Sequence, residues 1–110
     1  MPTVFKQEVV TGVGTTPVDI LQIGGGVRAT VVGLNLSNTS DYDMVLCNLY
    51  VIDQNSTQGS YARQVPIPPG SSAKVITNGE RLILPATAGL RLETDTDDSI
   101  DVTVSYVEIS

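Results

Sequence analysis

Val27-Arg28-Ala29-Thr30-Val31-Val32-Gly33-Leu34-Asn35-Leu36-Ser37 and Asp43-Met44-Val45-Leu46-Cys47-Asn48-Leu49-Tyr50-Val51-Ile52-Asp53 are the two stretches whose reading decides the fold. In the first, Arg28, Thr30, Val32, Leu34 and Leu36 alternate with Val27, Ala29, Val31, Gly33 and Asn35, and β-branched residues crowd its first half. That is strand chemistry. In the second, Val45, Cys47, Leu49 and Val51 share one face, while Met44, Leu46, Asn48, Tyr50 and Ile52 share the other. Between them, Asn38-Thr39-Ser40-Asp41-Tyr42-Asp43 is a run of turn formers that hydrogen-bond their own backbone. The whole reads as a central β-hairpin. A strand apolar on both sides is ordinarily covered on both. Met44, Leu46, Tyr50 and Ile52 are therefore the candidate interface, to be covered by a loop, another element or a neighbouring subunit.

A lone hairpin is marginal in water and needs further strands. Residues 3–10 form a first strand, ended by Thr11-Gly12-Val13-Gly14, and residues 17–23 a second, broken by Gly24-Gly25-Gly26. After the polar loop 54–59, a strand over 60–65 stops at Pro66-Ile67-Pro68-Pro69-Gly70, a segment suited to carrying the chain across an edge or between sheets. Residues 73–77 and 81–84 flank Asn78-Gly79, the strongest short hairpin signal in the chain. Strands over 90–94 and 100–109 complete the set. In the last, Ile100, Val102, Val104 and Tyr106 face one way and Asp101, Thr103 and Ser105 the other. Eight or nine short strands at regular spacing, with no helical periodicity, predict an all-β fold: a single antiparallel β-sandwich spanning residues 1–110, either jelly-roll or immunoglobulin-like.

The composition removes several functions. Twelve acidic residues against six basic ones give a formal charge of −6, with no cluster of Lys or Arg to displace counterions from a phosphate backbone, so nucleic acid is not an expected partner. No apolar run approaches the roughly 20 residues of a membrane helix, and MPTVFKQEVV lacks the basic-then-apolar order of a secretory signal, so neither membrane nor export is expected. There is no histidine, which eliminates Ser–His and Cys–His catalysis and histidine metal sites. Cys47, in the most apolar stretch, reads as a small core residue and excludes an internal disulfide.

Glu93, Asp95, Asp97, Asp98 and Asp101 gather around one turn. General acid chemistry needs a carboxyl group in a dry apolar pocket, and a Thr-, Asp- and Ser-rich loop is the opposite environment. The same residues could offer oxygen ligands to calcium, but they lack the turn glycine and distal glutamate of an EF-hand loop. A solvated turn guarding a sheet edge is the simpler reading. No catalytic residue, metal or cofactor is assigned.

Ala29-Thr30-Val31-Val32-Gly33-Leu34-Asn35-Leu36-Ser37-Asn38, the corner Val65-Pro66-Ile67-Pro68-Pro69-Gly70, Gly79-Glu80-Arg81-Leu82-Ile83-Leu84 and the ending Asp101-Val102-Thr103-Val104-Ser105-Tyr106-Val107-Glu108-Ile109 occur in an order that resembles small virion proteins of tailed bacteriophages. The resemblance covers nearly the whole chain. It implies a non-enzymatic structural protein, made in the host cytoplasm and placed in the virion as a capsid decoration or cement protein or as a tail, baseplate or fibre-attachment component. Its implied partners are other virion proteins and further copies of itself. The rival from another class is a carbohydrate-binding or adhesin-type module, with calcium held at the 93–101 turn.

Overall fold

The computed structural model describes residues 3–76, 82–96 and 99–109. Among the described residues nine strands follow one another: β1 (Thr3–Val13), β2 (Val18–Gln22), β3 (Arg28–Asn38), β4 (Val45–Ile52), β5 (Gln58–Ile67), β6 (Ser72–Ile76), β7 (Leu82–Leu84), β8 (Gly89–Thr94) and β9 (Ile100–Ile109). One sheet has the order β1-β9-β3-β6, with β7 also on β3, and the other the order β2-β8-β4-β5. All pairings are antiparallel. The pairs are nested: first strand with last, β2 with β8, β3 with β6 and β7, β4 with β5. A long antiparallel ribbon rolled in this way, with alternate pairs falling in alternate sheets, is a jelly roll. The sandwich prediction therefore holds, and the topology decides between the two forms left open.

The core fills the space between the sheets. Val31, Leu34, Leu36, Ile100, Val102, Val104 and Tyr106 come from the first sheet, and Ile20, Leu21, Val45, Cys47, Leu49, Ile67, Leu90 and Leu92 from the second. In β9 the predicted alternation is observed without exception from Ile100 to Tyr106. In β3 it is not. A β-bulge between Val31 and Gly33 shifts the register against β9, so Ala29 and Val31 before it and Leu34 and Leu36 after it all point into the core. A strict period of two had placed Val31 and Leu34 on opposite faces.

The central hairpin is a misreading. β3 lies in one sheet and β4 in the other, and the 39–44 connection crosses between them. The physical reason is Asn38, which is buried at the end of β3. Its Nδ2 donates to the Asp43 carbonyl at 2.9 Å and the Ile67 carbonyl at 2.8 Å, and its Oδ1 accepts the Ser40 N–H at 2.8 Å. One side chain thus ties the end of β3 to the connection that leads into β4 and to the end of β5 in the opposite sheet. The true hairpin comes one strand later. β4 and β5 pair through a loop in which Asp53 Oδ1 accepts the N–H groups of Asn55 and Thr57, each at 2.9 Å.

The proline corner passes the chain from β5 to β6 and so between sheets, but it is shorter than expected: Pro66 and Ile67 continue β5 opposite Leu46 and Val45, and the passage begins at Pro68. Pro69 and Gly70, with φ +69° at the glycine, occupy the central positions of a turn closed by Ser71 N–H to Pro68 C=O at 3.1 Å, the residue choice of a type II turn. The second predicted hairpin is also corrected. β6 pairs with residues 34–37 of β3 and β7 with residues 29–31, both antiparallel to it, so the two run in the same direction along one edge rather than against each other. Asn78-Gly79 itself lies outside the described residues.

Gly89 marks a close approach between strands. A Cβ there would stand 2.6 Å from the backbone oxygen of Leu21, and a backbone atom held in a sheet cannot yield cheaply. Gly89→Ala is expected to lower stability by roughly 1–3 kcal/mol, read from the denaturation midpoint.

Candidate assembly surfaces

The residues singled out in β4 stand on the outer face of the second sheet. Val45, Cys47 and Leu49 are buried beneath them, while Leu46, Tyr50 and Ile52 are half-buried and Met44, just before the strand, is exposed. This face is less apolar than the strand alone implies, because its neighbours interleave charge. Tyr50 lies opposite Arg91 and Asn48 opposite Glu93. The Tyr50 hydroxyl donates to Glu93 Oε1, which raises the phenol's pKa. Arg91 Nε donates to Asp19 at 2.7 Å and its Nη1 to Gln58 at 2.9 Å. Arg91, Asp19 and Gln58 line a cleft of about 200 Å³ together with Leu21, Ile52, Ser56 and Thr87.

Large exposed apolar side chains are instead concentrated on the first sheet. Phe5, Ile83 and Val9 are 82%, 70% and 60% exposed, and Val4 and Val32 are also exposed. The pairings place Phe5 opposite Val107, Val107 opposite Thr30 and Thr30 opposite Ile83, a row across four strands on the outer face. Sequence reasoning did not single out this face. Its only signal was that residues 3–10 carry apolar side chains on both parities, Val4 and Val10 on one and Phe5 and Val9 on the other.

The described carboxylates of the acidic turn serve separate protein donors. Glu93 accepts from Tyr50, Asp95 Oδ1 accepts the Leu46 N–H at 3.0 Å, and Asp101 Oδ1 accepts the Gly12 N–H at 3.1 Å. Asp97 and Asp98 lie outside the described residues. Among the described residues no group of three His, Cys, Asp or Glu side chains is placed to hold a metal ion.

Cys47 is fully buried, and burial, with Asp95 as a lesser cause, pushes its thiol up to about 12. A buried, protonated thiol is unreactive. A thiol reagent is expected to label Cys47 only as fast as the protein unfolds, and prompt labelling of the native protein would contradict this placement.

No family model and no curated protein matches the sequence. The fold matches a chain from the disulfide-linked pili of Bacillus endospore appendages with TM-score 0.58 and 10% identity, over 98% of this chain and 88% of that one. It matches a chain of the T13 particle of infectious bursal disease virus with TM-score 0.55 and 11% identity, over 96% of this chain. This chain spans 30% of that viral chain's length. At such identities the likeness is one of fold. Both matched chains belong to assembled structures, a pilus and a virus particle.

Proposed function

We propose that this protein is a non-enzymatic structural subunit of a tailed-phage virion, acting by docking and self-association as a capsid decoration or cement protein or as a tail, baseplate or fibre-attachment component. The observation that carries the assembly reading is the set of exposed apolar side chains on the first sheet, with Phe5 and Ile83 at the two ends of a row through half-buried Val107 and Thr30. Large exposed apolar side chains gathered on one sheet fit a protein interface. The fold's likeness to a pilus chain and a virus-particle chain supports it, and the sequence layout supports the phage assignment. With Cys47 buried, association through this surface is non-covalent. The charge of −6 keeps free copies apart until a docking surface or a high local concentration overcomes their repulsion.

The test is sedimentation of the purified protein over a range of concentrations, followed by mixing with tailed-phage particles stripped of their own decoration and tail proteins. Concentration-dependent association and co-sedimentation with particles are expected. A chain that stays monomeric and never docks would overturn the proposal. The polar cleft at Asp19, Gln58 and Arg91 supports a second reading as a carbohydrate-binding module, for which binding on a glycan array would be the deciding result.

A further inference from the structure

The two sheets have four edges, and three are blunted. β2 has only five residues, follows Pro17 and shifts register between Asp19 and Leu21. β5 carries Pro66, two register irregularities and Gln64 at φ +51°. β6 and β7 are two short pieces of five and three residues. Short length, proline, bulges and like-charged side chains are among the devices by which native proteins keep sheet edges from pairing with other chains. β1 has neither proline nor bulge from Thr3 to Val10, where its pairing with β9 runs unbroken before the register shift near Gly12, and its two edge charges, Lys6 and Glu8, are of opposite sign. Every residue from Thr3 to Val9 is exposed.

The order of side chains on this edge is self-complementary. When two copies of Thr3-Val4-Phe5-Lys6-Gln7-Glu8-Val9-Val10 run antiparallel about Gln7, Lys6 falls opposite Glu8, Phe5 opposite Val9 and Val4 opposite Val10, each twice. Directly opposed residues in an antiparallel pair lie on the same face of the sheet, so this register sets charge against opposite charge and apolar against apolar without twisting either strand. Lys6 reaches Glu108 of its own chain at 3.1 Å, and its ammonium has further donors for a second carboxylate.

We propose that β1 is where two copies of this chain meet, pairing antiparallel about Gln7 into one continuous sheet. This rests on the self-assembly reading and names its partner: a second copy. The two-fold axis makes the contact isologous. The edge supplies unpaired backbone N–H and C=O groups, and Phe5 of each copy covers Val9 of the other on the outer face.

The test is a charge-swap set followed by sedimentation. Lys6→Glu sets a glutamate against Glu8 twice across the axis, and Glu8→Lys sets a lysine against Lys6 twice, so each variant alone is expected to associate roughly tenfold or more weakly than the parent. Mixed in equal amounts, the two variants complement each other and are expected to form the heterodimer, and the double variant recovers association. Gln7→Cys, on the axis, is expected to oxidise to a covalent dimer. Val9→Cys is not, because its symmetry mate stands four residues along the ladder, beyond disulfide reach. Circular dichroism of each variant confirms that it folds. If the parent associates but both single variants match it, or Gln7→Cys does not crosslink, the β1 contact is overturned and assembly through another face stands. If the parent stays monomeric at every concentration, the β1 contact and self-association both fall, and docking on particles is decided by the mixing experiment alone.

Discussion

Val104→Asp is expected to unfold the protein, and Val102→Asp to do the same, while Thr103→Asp between them is expected to leave it folded. Both valines are fully buried between the sheets in the central part of β9, whereas Thr103 is on the opposite face, partly open to solvent beside Val9 and Asn35. A carboxylate at either valine has no partner among Leu34, Leu36 and their neighbours, so it either stays charged in an apolar medium or takes up a proton at a cost in free energy. The expected loss is roughly 4–5 kcal/mol, comparable to the whole stability of a domain of this size. On the outer face the change costs no more than about 1 kcal/mol, most of it from the poor strand propensity of Asp. Urea denaturation checks the contrast. Equal midpoints for the three variants would mean that the two faces of β9 do not differ in burial, and an inverted order that β9 is turned over.

That result depends on a feature legible in the sequence. Strands are readable because local alternation and the glycines and prolines that bound it are local properties: the sequence places β9 over 100–109 and marks Pro66-Ile67-Pro68-Pro69-Gly70 as a segment that carries the chain across an edge or between sheets. Which strand lies beside which was not readable. A six-residue polar connection between two apolar strands serves equally well to close a hairpin or to cross from one sheet to the other. Likewise Asn78-Gly79 has the composition of a tight turn, yet its flanking strands both lie along β3. The bulge at Val32-Gly33 escaped detection because a run such as Val31-Val32 fits either parity, and only the pairing with Ser105 and Tyr106 fixes it.

The candidate surfaces divide in the same way. The outer face of β4 followed from its own sequence, since apolar residues on both parities leave one set outside whatever the topology. Its dilution by Arg91, Glu93 and Asp19 did not, because those residues arrive from β8 and β2. The β1 edge was missed for a related reason: Phe5 and Val9 are ordinary strand residues until the order β1-β9-β3-β6 puts their strand at the margin. Edge position is a property of the sheet, not of the strand.

The second large effect is expected at Asn38, the residue that turns a sequence that reads as a hairpin into a crossing between sheets. Asn38→Ala leaves the Ile67 carbonyl, the Asp43 carbonyl and the Ser40 N–H without the partner each has now. Ile67 is fully buried, so its carbonyl has no ready route to water and bears the full desolvation cost, while the two groups nearer the surface lose about 1 kcal/mol each. The sum is roughly 3 kcal/mol. Asn38→Asp separates hydrogen bonding from mere shape. It keeps the size of the side chain and an acceptor for Ser40, but it sets a carboxylate against two carbonyl oxygens that need a donor, so near pH 7 it is expected to be at least as damaging as the alanine. Those oxygens favour the protonated acid, which raises the folded-state pKa of the new carboxyl above its unfolded value. Its penalty is therefore smallest below the unfolded pKa and grows as pH rises through the folded one. Measured against the parent at each pH, Asn38→Asp should recover part of its lost stability in acid, and Asn38→Ala should not. A flat difference for both would show that the corner is held by packing and that the amide's three hydrogen bonds contribute little.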